Sequence, residues 1–180
     1  SGAGSALAIR TAMRSAGVPE AELSQRVVCL DSKGLITSDR TGLDGPKQTL
    51  ATDPAFAASW GITARGTLQL ADVVRGFKPT VLVGVSGQPG AFTEAIIRDM
   101  QASCPRPVVL ALSNPNNKIE VAPNELIRWT NGAAAIGTGG PFAPVEHNGR
   151  TYAIGQGNNV LIFPGVGLGG TCLHRGCIPT

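Results

Sequence analysis

Residues 80–90 read TVLVGVSGQPG: an unbroken apolar run that ends in glycine, serine and proline. A run this short, rich in β-branched residues and without polar alternation, is expected to be a strand buried on both faces. Its surroundings repeat the pattern. Upstream, TLQLADVVRGFK (67–78) has an amphipathic helical period, with Leu68, Leu70, Ala71, Val74 and Phe77 on one side. Downstream, TEAIIRDMQASC (93–104) opens on Thr93 as an N-cap and runs as a helix. RPVVLALSNP (106–115) is a second buried strand, PNELIRWT (123–130) a short helix with Pro123 in its first turn, and AAAIGTG (133–139) a third strand. Apolar strands separated by helices make a parallel sheet covered on both faces.

The N-terminal part continues the alternation. SALAIRTAMRSAG (5–17) is helical with Gly17 as its stop, and RVVCLD (26–31) is a short β-branched strand ending in an acid. The stretch 37–61, TSDRTGLDGPKQTLATDPAFAASWG, has no clear period and is expected to be a surface loop. EHNGRTYAI (146–154) carries an Asn-Gly pair between strand-like flanks, so a small hairpin follows the sheet. The predicted fold is therefore α/β: a Rossmann-like parallel sheet with helices on both faces, its first strand missing, and a small hairpin near the C-terminus.

Composition narrows the function. In 180 residues there are 24 glycines but only 4% aromatic residues, so backbone rather than aromatic platforms should make close ligand contacts. A net charge of +3 comes from scattered residues (Arg10, Arg14, Arg26, Lys33, Arg40, Lys47, Arg75, Lys78) without a basic block, which speaks against nucleic-acid binding; most read as solvated surface. No apolar stretch approaches the ~18 residues of a membrane helix. Cys29 and Cys104 lie far apart in apolar segments and read as reduced core cysteines of a cytoplasmic protein.

In open parallel sheets, ligands gather outside the carboxyl ends of the strands. Here those ends are CLDSKG, GVSGQPG, LSNPNN and GTGGPF, all rich in Gly, Ser, Asn and Asp. Any one of them could be ordinary turn chemistry. Together with the opening GAG they favour a nucleotide site. Gly2 and Gly4, followed by Ser5 and Ala6, stand where a dinucleotide fingerprint places its turn and phosphate-contacting glycines, although Leu7 takes a position that prefers a small residue. Asp31, with Ser32 beside it, could hydrogen-bond the adenosine ribose or cap a turn. Lys33 and Lys47 could neutralise a 2′-phosphate, which would favour NADP over NAD, or could be solvated.

Taken in order, VCLDSKGLI, VLVGVSGQPGAFTEAIIRDM, RPVVLALSNPNNKIE, IRWTNG and GTGGPFAPVEHNGRTYAIGQGNNVLIFPGVGLG resemble the C-terminal, NAD(P)-binding domain of malic enzyme over residues 1 to about 169. That resemblance implies oxidative decarboxylation of malate to pyruvate and carbon dioxide with NAD or NADP and a divalent Mg or Mn ion, in a homo-oligomer. It implies cofactor contacts from Ser86, Gly87 and Asn114, and substrate contacts from Asn114, Asn158 and Asn159. It also implies that the tyrosine acid, lysine base and metal carboxylates belong to sequence this chain does not contain. Binding without turnover is the expectation for the chain alone, and a non-catalytic nucleotide-binding module is the alternative.

Residues 170–180, GTCLHRGCIPT, depart from that pattern. They resemble the redox-disulfide segment of flavin-dependent disulfide oxidoreductases, most closely dihydrolipoamide dehydrogenase, with Cys172 and Cys177 as the pair. A frayed, inert tail is the other reading.

Overall fold

The computed structural model describes residues 2–64 and 66–157, which form two compact units, 2–77 and 78–157.

Unit 2–77 is built from short pieces. Helix α1 (Gly2–Ser15) is followed by α2 (Glu20–Arg26), strands β1 (Leu30–Asp31) and β2 (Gly34–Leu35), and helices α3 (Gly45–Leu50), α4 (Pro54–Ala58) and α5 (Leu70–Phe77). The segment 26–31 does not enter a parallel sheet. Only its last two residues pair, antiparallel, as Leu30 with Leu35 and Asp31 with Gly34. The cause is local: Gly34 has φ +101°, and a Cβ there would stand 2.6 Å from the Leu68 carbonyl oxygen, so glycine both reverses the chain and admits its neighbour.

The stretch 37–61 is not a surface loop. It holds α3 and α4, each started the same way: the Asp44 carboxylate accepts the Lys47 N–H (2.9 Å) and the Asp53 carboxylate accepts the Ala55 N–H (2.8 Å), with a proline in each first turn. Leu50 and Thr52 in this stretch are fully buried. A small apolar core gathers Leu35, Ala57 and Val73, with Val28, Leu30, Trp60, Leu68 and Phe77 packed against it. Helix α5 thus turns Val73 as well as Val74 inward.

Arg10 corrects the reading of scattered surface cations. It is buried, donating from one guanidinium nitrogen to the Thr49 carbonyl (2.8 Å) and from the other to those of Val27 (2.8 Å) and Leu50 (3.3 Å). Its side chain thereby closes the C-terminal end of α3, where unpaired carbonyls and the helix dipole favour a cation. Burial lowers its pKa, against smaller opposing effects of Cys29 and Glu20.

Unit 78–157 is regular. Strand β3 (Val81–Gly84), helix α6 (Glu94–Ser103), strand β4 (Val108–Ala111), helix α7 (Pro123–Thr130) and strand β5 (Ala135–Thr138) follow in order. The hairpin β6 (Val145–His147) and β7 (Arg150–Tyr152) comes next, then β8 (Gly155–Gln156). The sheet is parallel in the order β3-β4-β5-β8 and flanked by helices, which is the expected Rossmann-like pattern; the short β8 was not foreseen. Thr93 caps α6 as the sequence suggests, its hydroxyl accepting the Ile96 N–H. Asn148 and Gly149 take left-handed φ of 50° and 71° at the hairpin tip, the geometry an Asn-Gly turn supplies. Ile97, Met100, Val109, Ala111, Leu112, Leu126 and Ile127 are almost wholly buried. Each of the larger side chains among them, Ala111 aside, stabilises the fold by roughly 1.5–3 kcal/mol. Among the described residues, no helix is long and apolar enough to cross a membrane.

Candidate functional site

In unit 78–157 the parallel register aligns Gly84 with Ala111 and Ala111 with Thr138, so three strands end on one edge. The loops that follow them lock together there. The Gly87 N–H donates to Ser113 Oγ (2.8 Å), and Asn116 Nδ2 donates to the Pro141 carbonyl (3.0 Å). Asn114 is exposed at this rim, joined to Pro115 by a cis peptide, and its amide lies over the end of β5. A Cβ at Gly139 would run into the Leu112 carbonyl and stand 2.8 Å from Asn114 Nδ2, and one at Gly140 would run into the Asn116 amide oxygen, with Asn114 Oδ1 at 3.2 Å. The two glycines therefore admit the Leu112 carbonyl and the amides of Asn114 and Asn116, and the buried Thr138 hydroxyl holds their turn by donating to the Gly140 carbonyl (2.8 Å).

Beneath the rim lies a group the sequence reading passed over. Glu120, fully buried, accepts on Oε1 from the Ser86 N–H (2.7 Å), Ser86 Oγ (2.8 Å), Ser113 Oγ (2.6 Å) and Gly87 N–H (3.3 Å). Burial would raise its pKa, but the hydrogen bonds from Ser113 and Ser86 outweigh it and the carboxyl sits below its ordinary value. Its only sequence signal was an acid between apolar neighbours in NKIEVA.

In unit 2–77, Asp31 is the centre of a polar cluster. It accepts from the Lys33 N–H (2.9 Å), from an Arg40 guanidinium nitrogen on both oxygens (3.1 and 3.0 Å) and from Lys47 Nζ (3.0 Å). Burial opposes its charge, but the Lys33 N–H, Lys47 and Arg40 together lower its pKa. Arg40 also donates to the Gly34 and Leu35 carbonyls (3.4 and 3.1 Å), so it fastens the hairpin that carries the acid. Four donor contacts fill the usual lone-pair positions of a carboxylate. A ribose hydroxyl could bond Asp31 only by taking the place of one of them, whereas a phosphate would find two cations on a single carboxylate. A cleft of about 390 Å³ opens beside this cluster, lined by Leu35, Thr37, Arg40, Pro54, Ala57 and Leu68.

Of the other expected residues, Gly2, Gly4, Ser5 and Ala6 all lie in the first turns of α1. Ser5 and Ala6 are buried. Ser32 and Lys33 are exposed in the β1–β2 turn, and Lys33 adds its N–H to Asp31. Tyr152 packs onto the turn at Gly132, where no Cβ would fit, and so does structural work. Cys29 and Cys104 are free thiols, and burial pushes Cys29 above its usual pKa. Asn158, Asn159, Cys172 and Cys177 lie outside the described residues.

The sequence matches the family described as "Malic enzyme, NAD binding domain" over residues 1–179. The chain belongs to that family. It is 48% identical over 168 residues to an NAD-dependent malic enzyme of Sodalis glossinidius, 46% to that of Acinetobacter baylyi and 45% to that of Aliivibrio fischeri. In each case the alignment takes in 93% of this chain and 30% of the relative, so the chain spans about a third of the length of these malic enzymes. The rim of β3, β4 and β5 is accordingly the rim of a malic-enzyme NAD-binding domain, and NAD is the cofactor that both the family description and the relatives' names carry.

Proposed function

We propose that the chain holds the dinucleotide of a malic enzyme during oxidative decarboxylation of malate to pyruvate and carbon dioxide. The observation that carries this is the rim itself: three aligned strand ends, with an asparagine amide lying over a glycine pair that leaves it room. The bound NAD would supply the hydride acceptor. Asn114, a neutral amide with donors and an acceptor, can orient a carboxamide or a carboxylate at that edge without bringing a charge.

Turnover also needs an acid, a base and a divalent cation. Among the described residues no three of His, Cys, Asp and Glu gather as metal ligands. Titration calorimetry of the chain with NAD should give a saturable isotherm, while malate-dependent NADH formation with Mn should be absent for the chain alone. Lack of any heat with millimolar NAD would overturn the proposal.

A second reading, NADP, is favoured by one observation: Arg40 and Lys47 converge on Asp31. It predicts tighter binding of NADP than of NAD, and loss of that preference in Lys47→Met. Flavin retained on purification would instead support the disulfide-oxidoreductase reading of residues 170–180.

A further inference from the structure

Glu120 is a fully buried carboxylate that reaches back 34 residues to the turn after β3. All four contacts on Oε1 come from donors, which favours the charged form. The Gly87 N–H is shared between this carboxylate and Ser113 Oγ, which makes one hydroxyl the joint between the β3 turn and the end of β4. Among the described residues the second oxygen, Oε2, has no hydrogen-bond partner. It lies against Gly84, where a Cβ would stand 2.6 Å from Glu120 Cδ and 2.7 Å from Oε2.

Two consequences follow. The Ser86 and Gly87 amides are turned into the protein, so this turn does not offer them to a pyrophosphate. And Ser113, held by Glu120 and Gly87, immediately precedes Asn114, so the direction in which the chain leaves β4 is set from below.

We infer that Glu120 is a positioning residue for the dinucleotide rim: by gathering Ser86, Gly87 and Ser113 onto one oxygen it locks two strand-end loops together and fixes where Asn114 stands. The inference rests on the reading of the rim as the NAD site. A merely structural carboxylate would stabilise the unit without affecting ligand affinity, and that difference can be measured.

The test uses the whole chain and three substitutions. Glu120→Gln keeps the volume and one acceptor but removes the charge that strengthens all four bonds. It should speed hydrogen exchange at the Ser86 and Gly87 amides and weaken NAD binding by about tenfold, roughly the effect of one charge-assisted bond. Ile127→Ala, a core truncation in α7, should lower the melting temperature and leave the NAD dissociation constant unchanged. Should Glu120→Gln fail to fold, Ser113→Ala removes only the joining hydroxyl and should weaken NAD in the same direction. Wild-type affinity in the folded variant would overturn the inference while the proposed function stands. Failure of the wild-type chain to bind NAD would remove both.

Discussion

In residues 78–157 three strands of four residues lie in parallel register over an aliphatic core of Ile97, Val109, Leu126 and Ile127, whereas in residues 2–77 no strand among the described residues exceeds two residues. The first unit is held by repetition: each strand buries the same kind of side chain, and loss of one contact leaves the pattern. The second is held at points. Arg10 closes α3, Asp44 and Asp53 start α3 and α4, and Arg40 ties Asp31 to the hairpin. A sheet held by repetition should fail through cavities, whereas polar joints, Glu120 at the strand ends included, should fail through single groups.

The sharpest way to break this contrast is in the larger core. Leu126→Ala, at a fully buried position, should cost about 2–5 kcal/mol by urea denaturation. Arg10→Met should cost roughly 1–3 kcal/mol by leaving the carbonyls of Thr49, Val27 and Leu50 without their donor, with faster hydrogen exchange confined to residues 2–77. If Arg10→Met were neutral, the idea that point contacts hold this unit would fail. Asp53→Ala should cost about 1 kcal/mol through loss of the α4 cap, and Asp44→Ala a similar amount at α3.

The smallest effect is in pH. Asp31 has a lowered pKa in the folded chain, so its stabilisation is complete above the unfolded value of about 3.9 and is lost as pH falls through the lower folded value. Acid titration followed by circular dichroism should show residues 2–77 loosening below about pH 4, and Asp31→Asn should remove that part of the transition.

The same contrast explains what could be read before any coordinates. Burial with a fixed period is written into a sequence, and the strands at 81–84, 108–111 and 135–138, with their helices, were found where the apolar runs lay. The Asn-Gly hairpin was found by its turn chemistry. Point contacts leave no period. The segment 37–61 hid two helices, although Asp-Gly-Pro and Asp-Pro are cap-and-first-turn signals when read for chemistry rather than periodicity. Arg10 and Arg40 looked like surface cations because only the folded chain shows which carbonyls they reach. Asp31 was singled out as a ribose acceptor or turn cap, with Lys47 as a cation for a phosphate; that Arg40 and Lys47 both bond the acid itself shows only in the folded chain. The part of the site that was legible, the glycine and asparagine loops, is the part placed by the sheet.

The fit between Gly84 and the carboxylate above it has an evolutionary corollary. A methyl group at 84 and a full-length glutamate at 120 cannot share that space, so the two positions should drift as a pair. Homologues with alanine or serine at the first should carry a shorter residue at the second. Where that happens, the serines at 86 and 113 lose the oxygen that joins them and should change as well, marking a lineage in which this end of the sheet was rebuilt.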